Sequence, residues 1–239
     1  MVRIGLTLPQ FHDEAEPAVE VARRAEAAGL DGVFVFDHLW RIARPEGPAL
    51  HGTTLLGALA AETERVSVGT LVARVGLVPD AVLVHTFATL GRMAGARLVA
   101  GLGVGDAVSR SENLAYGVAF PPAADRRASL AECCRRLRAS GIVTWVGGLS
   151  EGTRAVGRRE ADALNLWGVD AAAVAAEVEA SSPADVTWGG QVDVAPGRGA
   201  GAILRSLAEA GASWAVVAPV GVPWAEAVDA TAEAARGLP

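Results

Sequence analysis

The residues of this chain that could carry chemistry fall in short groups, each just past an apolar run. Asp37 and His38 follow the run VFVF. The two tautomers of an imidazole can donate or accept a hydrogen bond at either nitrogen; the plainer reading is a loop histidine bonded to nearby backbone. The stretch RLVAGLGVGD, from Arg97 to Asp106, ends an apolar run in Gly101, Gly103 and Gly105 around Val104, and then an acid. Glycine lets a backbone come close to something bulky. The spacing is not that of a GxGxxG dinucleotide loop, and a glycine-lined strand end can also be a tight connection. A third group, Gly147, Gly148, Ser150 and Thr153, leaves one strand-like run and enters a helical one, so free backbone N–H groups and two hydroxyls can converge on an anion. A serine helix cap is the alternative there.

Other chemistries lack their residues. All 21 basic residues are arginine, which removes Schiff-base lysine catalysis and the P-loop lysine. His12, His38, His51 and His85 show no HxH, HExxH or Cys/His spacing, so no metal site is expected. The net charge of -6 with scattered arginines offers no stripe for nucleic acid. Cys133 and Cys134 are adjacent in a predicted helix, where they read as packing residues. Although 51% of the residues are apolar, no run approaches a membrane span and no amino-terminal signal pattern is present. The expectation is a cytoplasmic protein that acts on a small molecule.

Strand-like and helix-like patterns alternate along all 239 residues, and they are what must position these groups. The pattern predicts strands at Arg3 to Leu8, Val33 to Phe36, Val66 to Val72, the stretch ending at Asp106, Val143 to Val146, Ala163 to Leu166, near Val186, and Ser213 to Ala218. The predicted helices run from Asp13 to Ala28, opened by an Asp13/Glu16 capping box, then Thr53 to Thr63, Asp80 to Met93, and, after a loop through Tyr116 to Pro122, Asp125 to Ala139. Later ones start near Glu151, cover Asp170 to Ala180, end at Gly211, and start with Pro223 in a first turn. One junction recurs four times, as EAAGLDGVFVF, RMAGARLVAGLG, RASGIVTWVGG and EAGASWAVVAP: a glycine ends a helix in the left-handed conformation and a buried strand follows. Eight strand-helix units of about 30 residues predict one (β/α)8 barrel domain over residues 1–239; a doubly wound sheet would have fewer strands. In a barrel the loops after the strands share one face, so the residues to examine are Pro9 to His12, Asp37 to Trp40, Val72 to Arg74, Gly103 to Asp106, and Gly147 to Thr153. Trp40, Trp145, Trp167 and Trp188 could line a substrate site or pack the barrel, and Trp145 reads as packing.

Taken in order, GVFVFDHLW, LGALAAETERVSVGTLV, FATLGRMAGARLVAGLGVGD, RRASLAE and VGGLSEGTRAVGRREADALNLWG resemble the bacterial-luciferase-like superfamily of flavin and deazaflavin barrels, in particular its coenzyme F420-dependent branch. The resemblance implies hydride transfer between reduced deazaflavin and an organic substrate, with His38 catalytic and Asp37 and His38 facing the ring. It also implies a cis peptide at Leu71 to Val72 behind the ring, cofactor contacts from Gly103, Val104, Gly105 and Asp106 (where relatives often carry glutamate), and cofactor phosphate at Gly147 to Thr153. A homodimer is implied by resemblance alone. A flavin mononucleotide monooxygenase shares the fold and is the alternative cofactor reading. Relatives are usually longer: Ala139-Ser140-Gly141 runs straight into a strand here, and the segment from Gly189 to Gly199 reads as a short loop. Such reduced cover also leaves open a binding protein that catalyses nothing.

Overall fold

The computed structural model describes residues 1–41, 44, 45 and 47–238. The strands are β1 (Arg3–Thr7), β2 (Gly32–Val35), β3 (Ser67–Thr70), β4 (Ala73–Arg74), β5 (Leu98–Gly103), β6 (Val143–Gly147), β7 (Ala163–Trp167), β8 (Asp185–Asp193) and β9 (Trp214–Val220). Every pairing between them is parallel, and because β5 meets both β3 and β4 the sheet closes on itself. β3 and β4 are two halves of one barrel strand. Val68 pairs with Leu98 below and Ala73 with Leu102 above, so this strand carries one more residue than its neighbour between those points. That is a bulge, a device that bends a strand and re-aims its side chains. The Leu71–Val72 peptide inside it is cis. Counting the two halves together, the described residues form the expected eight-stranded (β/α)8 barrel.

The helices are α1 (Glu16–Ala27), α2 (Gly52–Glu62), α3 (Asp80–Ala94), α4 (Ala107–Ala115), α5 (Ala123–Ala139), α6 (Glu151–Glu160), α7 (Ala171–Ser181), α8 (Ala200–Glu209) and α9 (Trp224–Ala235). All four junction glycines take positive φ: 83° at Gly29, 61° at Gly95, 74° at Gly141 and 91° at Gly211. A side chain there would be strained.

Four local expectations are corrected. No Asp13 capping box forms, because α1 starts at Glu16 with Pro17 in its first turn and no side-chain cap; proline's fixed φ already suits that position. Tyr116 to Pro122 is a loop as expected, but a helix that the pattern did not predict, α4, stands between it and β5. Residues from Gly189 to Asp193 extend β8, which pairs with β9 along that length. Pro223 is the residue before α9 and not part of its first turn.

The core has two parts. One lies between strands and helices, and includes Cys133 and Cys134, whose thiols burial pushes up to about 12; such thiols stay protonated and inert. The other fills the barrel with Phe34, Trp145 and Trp214, ring centroids 5.2 to 5.8 Å apart. Trp145 is therefore packing, as expected. Large rings fit inside because glycines stand beside them on the same and neighbouring strands: a Cβ on Gly5 or Gly69 would come within 2.9 Å of Phe34, and one on Gly32 would sit 2.9 Å from Trp214. These rings plug the barrel below its carboxyl face.

Candidate functional site

Above that plug, at the carboxyl ends of the strands, opens a cavity of about 710 Å³. Pockets of this size hold cofactors and small substrates. All twelve residues singled out in the sequence line it: Asp37, His38, Leu71, Val72, Gly103, Val104, Gly105, Asp106, Gly147, Gly148, Ser150 and Thr153.

Beneath Asp37 and His38 lies a buried ionic array. Arg74, at the end of β4, is ion-paired with Glu112 of α4; their side chains are 1% and 0% exposed. The Nε of Arg74 is 3.3 Å from Asp37 Oδ2, and its backbone N–H donates to the same oxygen at 2.6 Å. Glu112 also accepts backbone N–H groups from Leu39 and Trp40, at 3.0 and 3.3 Å. His38 Nδ1 is 3.2 Å from Glu112 Oε1. A carboxylate only accepts, so Nδ1 is the nitrogen that donates here, and Nε2 is left free of this contact.

One guanidinium thus serves two acids, and the two titrate in opposite directions. Burial pushes the Asp37 carboxyl above its usual range, and the nearby Arg74 charge does not offset this. Burial also acts against Glu112, but hydrogen bonds from His38 and Arg74 outweigh it and hold that carboxyl below its usual range. Of the two acids, Glu112 is the one whose ionised form the surroundings favour.

Sequence reasoning did not assign Glu112, and left Arg74 without a role. The buried face of α4 is Ser109, Glu112 and Asn113, so the helix has no apolar stripe to betray it. Asp106 was the available signal. It caps α4, accepting from the Ser109 N–H at 2.9 Å and the Ser109 hydroxyl at 3.1 Å. Burial raises its pKa, yet these bonds hold the carboxyl below the ordinary range.

The glycines also allow close approaches within the barrel wall. A Cβ on Gly101 would lie 2.0 Å from the carbonyl oxygen of Thr70, and one on Gly103 or Gly147 would lie 2.5 or 2.6 Å from a Val72 methyl. The close approach they allow is to the bulged third strand. The structure brings Gly103 and Gly147 to the cavity, but the bulky neighbour each accommodates is Val72.

At the start of α6, Ser150 is the helix cap: its Oγ accepts from the Thr153 N–H at 3.3 Å and lies 2.9 Å from Thr153 Oγ1. The cap is formed, and the Glu151 and Gly152 N–H groups have no acceptor among the described residues. A Cβ on Gly152 would be 3.1 Å from Arg127 Nε, so that guanidinium lies over the same turn. Arg127 forms no ion pair among the described residues. Gly148, at φ 152°, has Thr153 where its Cβ would go, 2.9 Å away, so a bulky residue there would strike the helix start before it met a ligand. The rings of Phe11, Phe36, Trp167 and Trp224 also line the cavity. Trp188 instead packs under the helices, donating from Nε1 to the Val169 carbonyl at 2.8 Å, and Trp40 leans on Tyr116.

Comparison with known proteins follows this geometry. Residues 2–143 match the family model described as luciferase-like monooxygenase. An F420-dependent glucose-6-phosphate dehydrogenase of Kineococcus radiotolerans is 37% identical over 120 residues, 50% of this chain and 35% of that protein. The protein of that name from Intrasporangium calvum is 34% identical over 155 residues, 62% and 45% of the two chains. This chain spans about a third to under half of the length of these relatives. Among solved structures, an F420-dependent secondary alcohol dehydrogenase bound to an F420-acetone adduct superposes with a TM-score of 0.81 at 14% identity, covering 100% of this chain and 99% of the other. EDTA monooxygenase from a Chelativorans species gives 0.78 at 10% identity, covering 99% and 94%. At such identities these two speak for the barrel alone, whereas the family match covers more than half of the chain, and so the chain belongs to the luciferase-like monooxygenase family.

Proposed function

We propose that this chain binds coenzyme F420 and works as an oxidoreductase on a small organic molecule. The observation that carries the reading is the array of Asp37, Arg74, Glu112 and His38 under one side of the cavity. Buried ionisable groups of divergent pKa in a cleft mark functional sites. The family match, over residues 2–143, includes the segment that supplies the array.

The donor set fits an anionic, ring-bearing cofactor. The α6 N-terminus has unpartnered N–H groups, the Ser150 and Thr153 hydroxyls, and the Arg127 guanidinium beside it, a suitable set for phosphate. Leu71, Val72, Val104 and His38 would hold the ring, and Asp106 stands at the edge of the same cavity. When bound, the deazaflavin supplies the hydride or takes it up. His38 has its Nδ1 proton committed to Glu112, so Nε2 accepts a proton from the substrate oxygen or returns one to it. The apolar wall excludes water from that exchange.

Titration of the purified protein with F420 and with flavin mononucleotide, repeated on His38→Ala, tests the reading. Tighter binding of F420, weakened by the substitution, supports it. Preference for flavin mononucleotide would favour the monooxygenase alternative, and equally weak binding of both would leave a barrel without its cofactor. One barrel domain, a homodimer and a cytoplasmic site of action complete the proposal. Sedimentation of the purified chain tests the dimer. Among the described residues no helix is long and apolar enough to cross a membrane.

A further inference from the structure

We propose that the half of the cavity facing away from the glycine loop takes an uncharged, largely apolar substrate bearing a ring, and not a phosphorylated sugar. This rests on reading the other half as the cofactor site.

The wall is aromatic and held in place. Phe11 stacks on Phe36 with centroids 6.1 Å apart and planes 15° apart, and Phe36 meets Trp167 edge-on at 5.8 Å. The backbone of Phe36 is clamped by the fully buried Gln10, which accepts its N–H at 2.7 Å and donates to its carbonyl at 2.8 Å. Rigid rings offer contact area at little entropic cost, and they favour a partner that can stack or meet them edge-on. Trp167 remains 38% exposed although it ends a barrel strand. That is a large apolar surface turned toward a cavity rather than into the core.

Position ties this wall to the reaction centre. A Cβ on Gly189 would lie 2.9 Å from the Trp167 ring and 3.0 Å from Leu71, so the indole and the third-strand bulge meet over the same glycine. A molecule resting on Trp167 therefore lies beside the residues proposed to hold the deazaflavin ring.

Charge decides the substrate class. The chain has no lysine, and Arg74 is the only arginine that lines the cavity among the described residues. Its charge is already paired with Glu112 and Asp37, and its Nη1, which has no hydrogen-bond partner among the described residues, is itself buried. A phosphate dianion against the aromatic wall would lose its water without a counter-charge, which is a heavy cost. Among the polar side chains that line the cavity, the exposed Gln191 makes no side-chain hydrogen bond among the described residues. A neutral amide suits a single hydroxyl or carbonyl oxygen.

The test uses the full chain loaded with F420, and acetophenone and glucose 6-phosphate as probes, read by calorimetry and saturation-transfer NMR. Acetophenone is expected to bind at least about tenfold more tightly than glucose 6-phosphate, a difference of about 1.4 kcal/mol. Trp167→Ala should weaken acetophenone about fivefold or more while F420 affinity stays within about twofold, and Trp167→Phe should restore most of the loss. Retained F420 affinity shows that each variant is folded. Glucose 6-phosphate binding as tightly as acetophenone would overturn the proposal, and so would acetophenone binding indifferent to Trp167. In both cases F420 still binds and the cofactor reading stands. Failure of the wild-type chain to bind F420 would instead remove that reading and this one with it.

Discussion

Glu112 Oε1 stands 3.2 Å from His38 Nδ1, across 74 residues of sequence. The same carboxylate holds the Arg74 guanidinium and the backbone of Leu39 and Trp40. A single acid on α4 thus sets the histidine's tautomer, neutralises a buried cation and pins the loop after β2.

Replacing Glu112 by alanine leaves Arg74 charged and buried without its main partner. The expected loss is about 3–5 kcal/mol of stability, read from urea unfolding. Arg74→Met combined with Glu112→Leu should cost less than the two separate changes together, because neither charge is then stranded. Strict additivity would show that the pair is not coupled.

The two acids should respond to pH with opposite sign. Glu112 has its carboxyl held below the usual 4.5, so its contribution is present above that value and is lost as pH falls through the lower folded-state pKa. Asp37 is raised above 3.8: the folded state keeps that proton more tightly, and stability declines as pH rises from the unfolded value through the raised one. Asp37→Asn should therefore gain on wild type as pH increases across this range and then stay level. Urea midpoints of both proteins over about pH 3 to 8 check this, and a gain that shrinks with rising pH would contradict it.

Gly101→Ala and Gly103→Ala should both destabilise, and only one should be rescued by Val72→Ala. The Cβ at 103 meets a Val72 methyl, which can be removed; the Cβ at 101 meets the Thr70 carbonyl, which cannot. Overpacking of this kind costs about 1–3 kcal/mol or more. Thermal melts of the two single and two double variants decide the matter.

Arg127→Ala should weaken F420 and inorganic phosphate alike, by about tenfold in dissociation constant, as expected for loss of one charge-assisted contact. The melting temperature should barely change, because Arg127 has no ion-pair partner to strand among the described residues. If the affinity for phosphate were independent of the substitution and of added salt, the α6 turn would not be the anion site.

Much of the barrel could be read directly from the residues. Gly29, Gly95, Gly141 and Gly211 follow helical stretches and precede buried ones, and each takes the positive φ that such a stop requires. A helix's last turn and the strand entered next are local matters, governed by neighbours a few residues apart. The same holds for the placing of Asp37, His38, Gly103 to Asp106 and Gly147 to Thr153 on one face, which follows from strand ends once the count of eight is made.

The partners of those residues were decided only by the closed sheet. α4 buries serine, glutamate and asparagine rather than an apolar stripe, so periodicity carries no trace of it, and Glu112 stays hidden until β4 brings Arg74 beneath it. Gly101, Gly103 and Gly147 announce a close approach but not to what; the bulge in strand three supplies Thr70 and Val72 as the answer. Gly189 to Asp193 resembles a loop by composition and becomes strand because β9 lies beside it to pair with. Turns and caps are settled by energies between near neighbours along the chain. Buried charge is settled by whatever group the fold brings within a few ångströms, and that group is named by no local pattern.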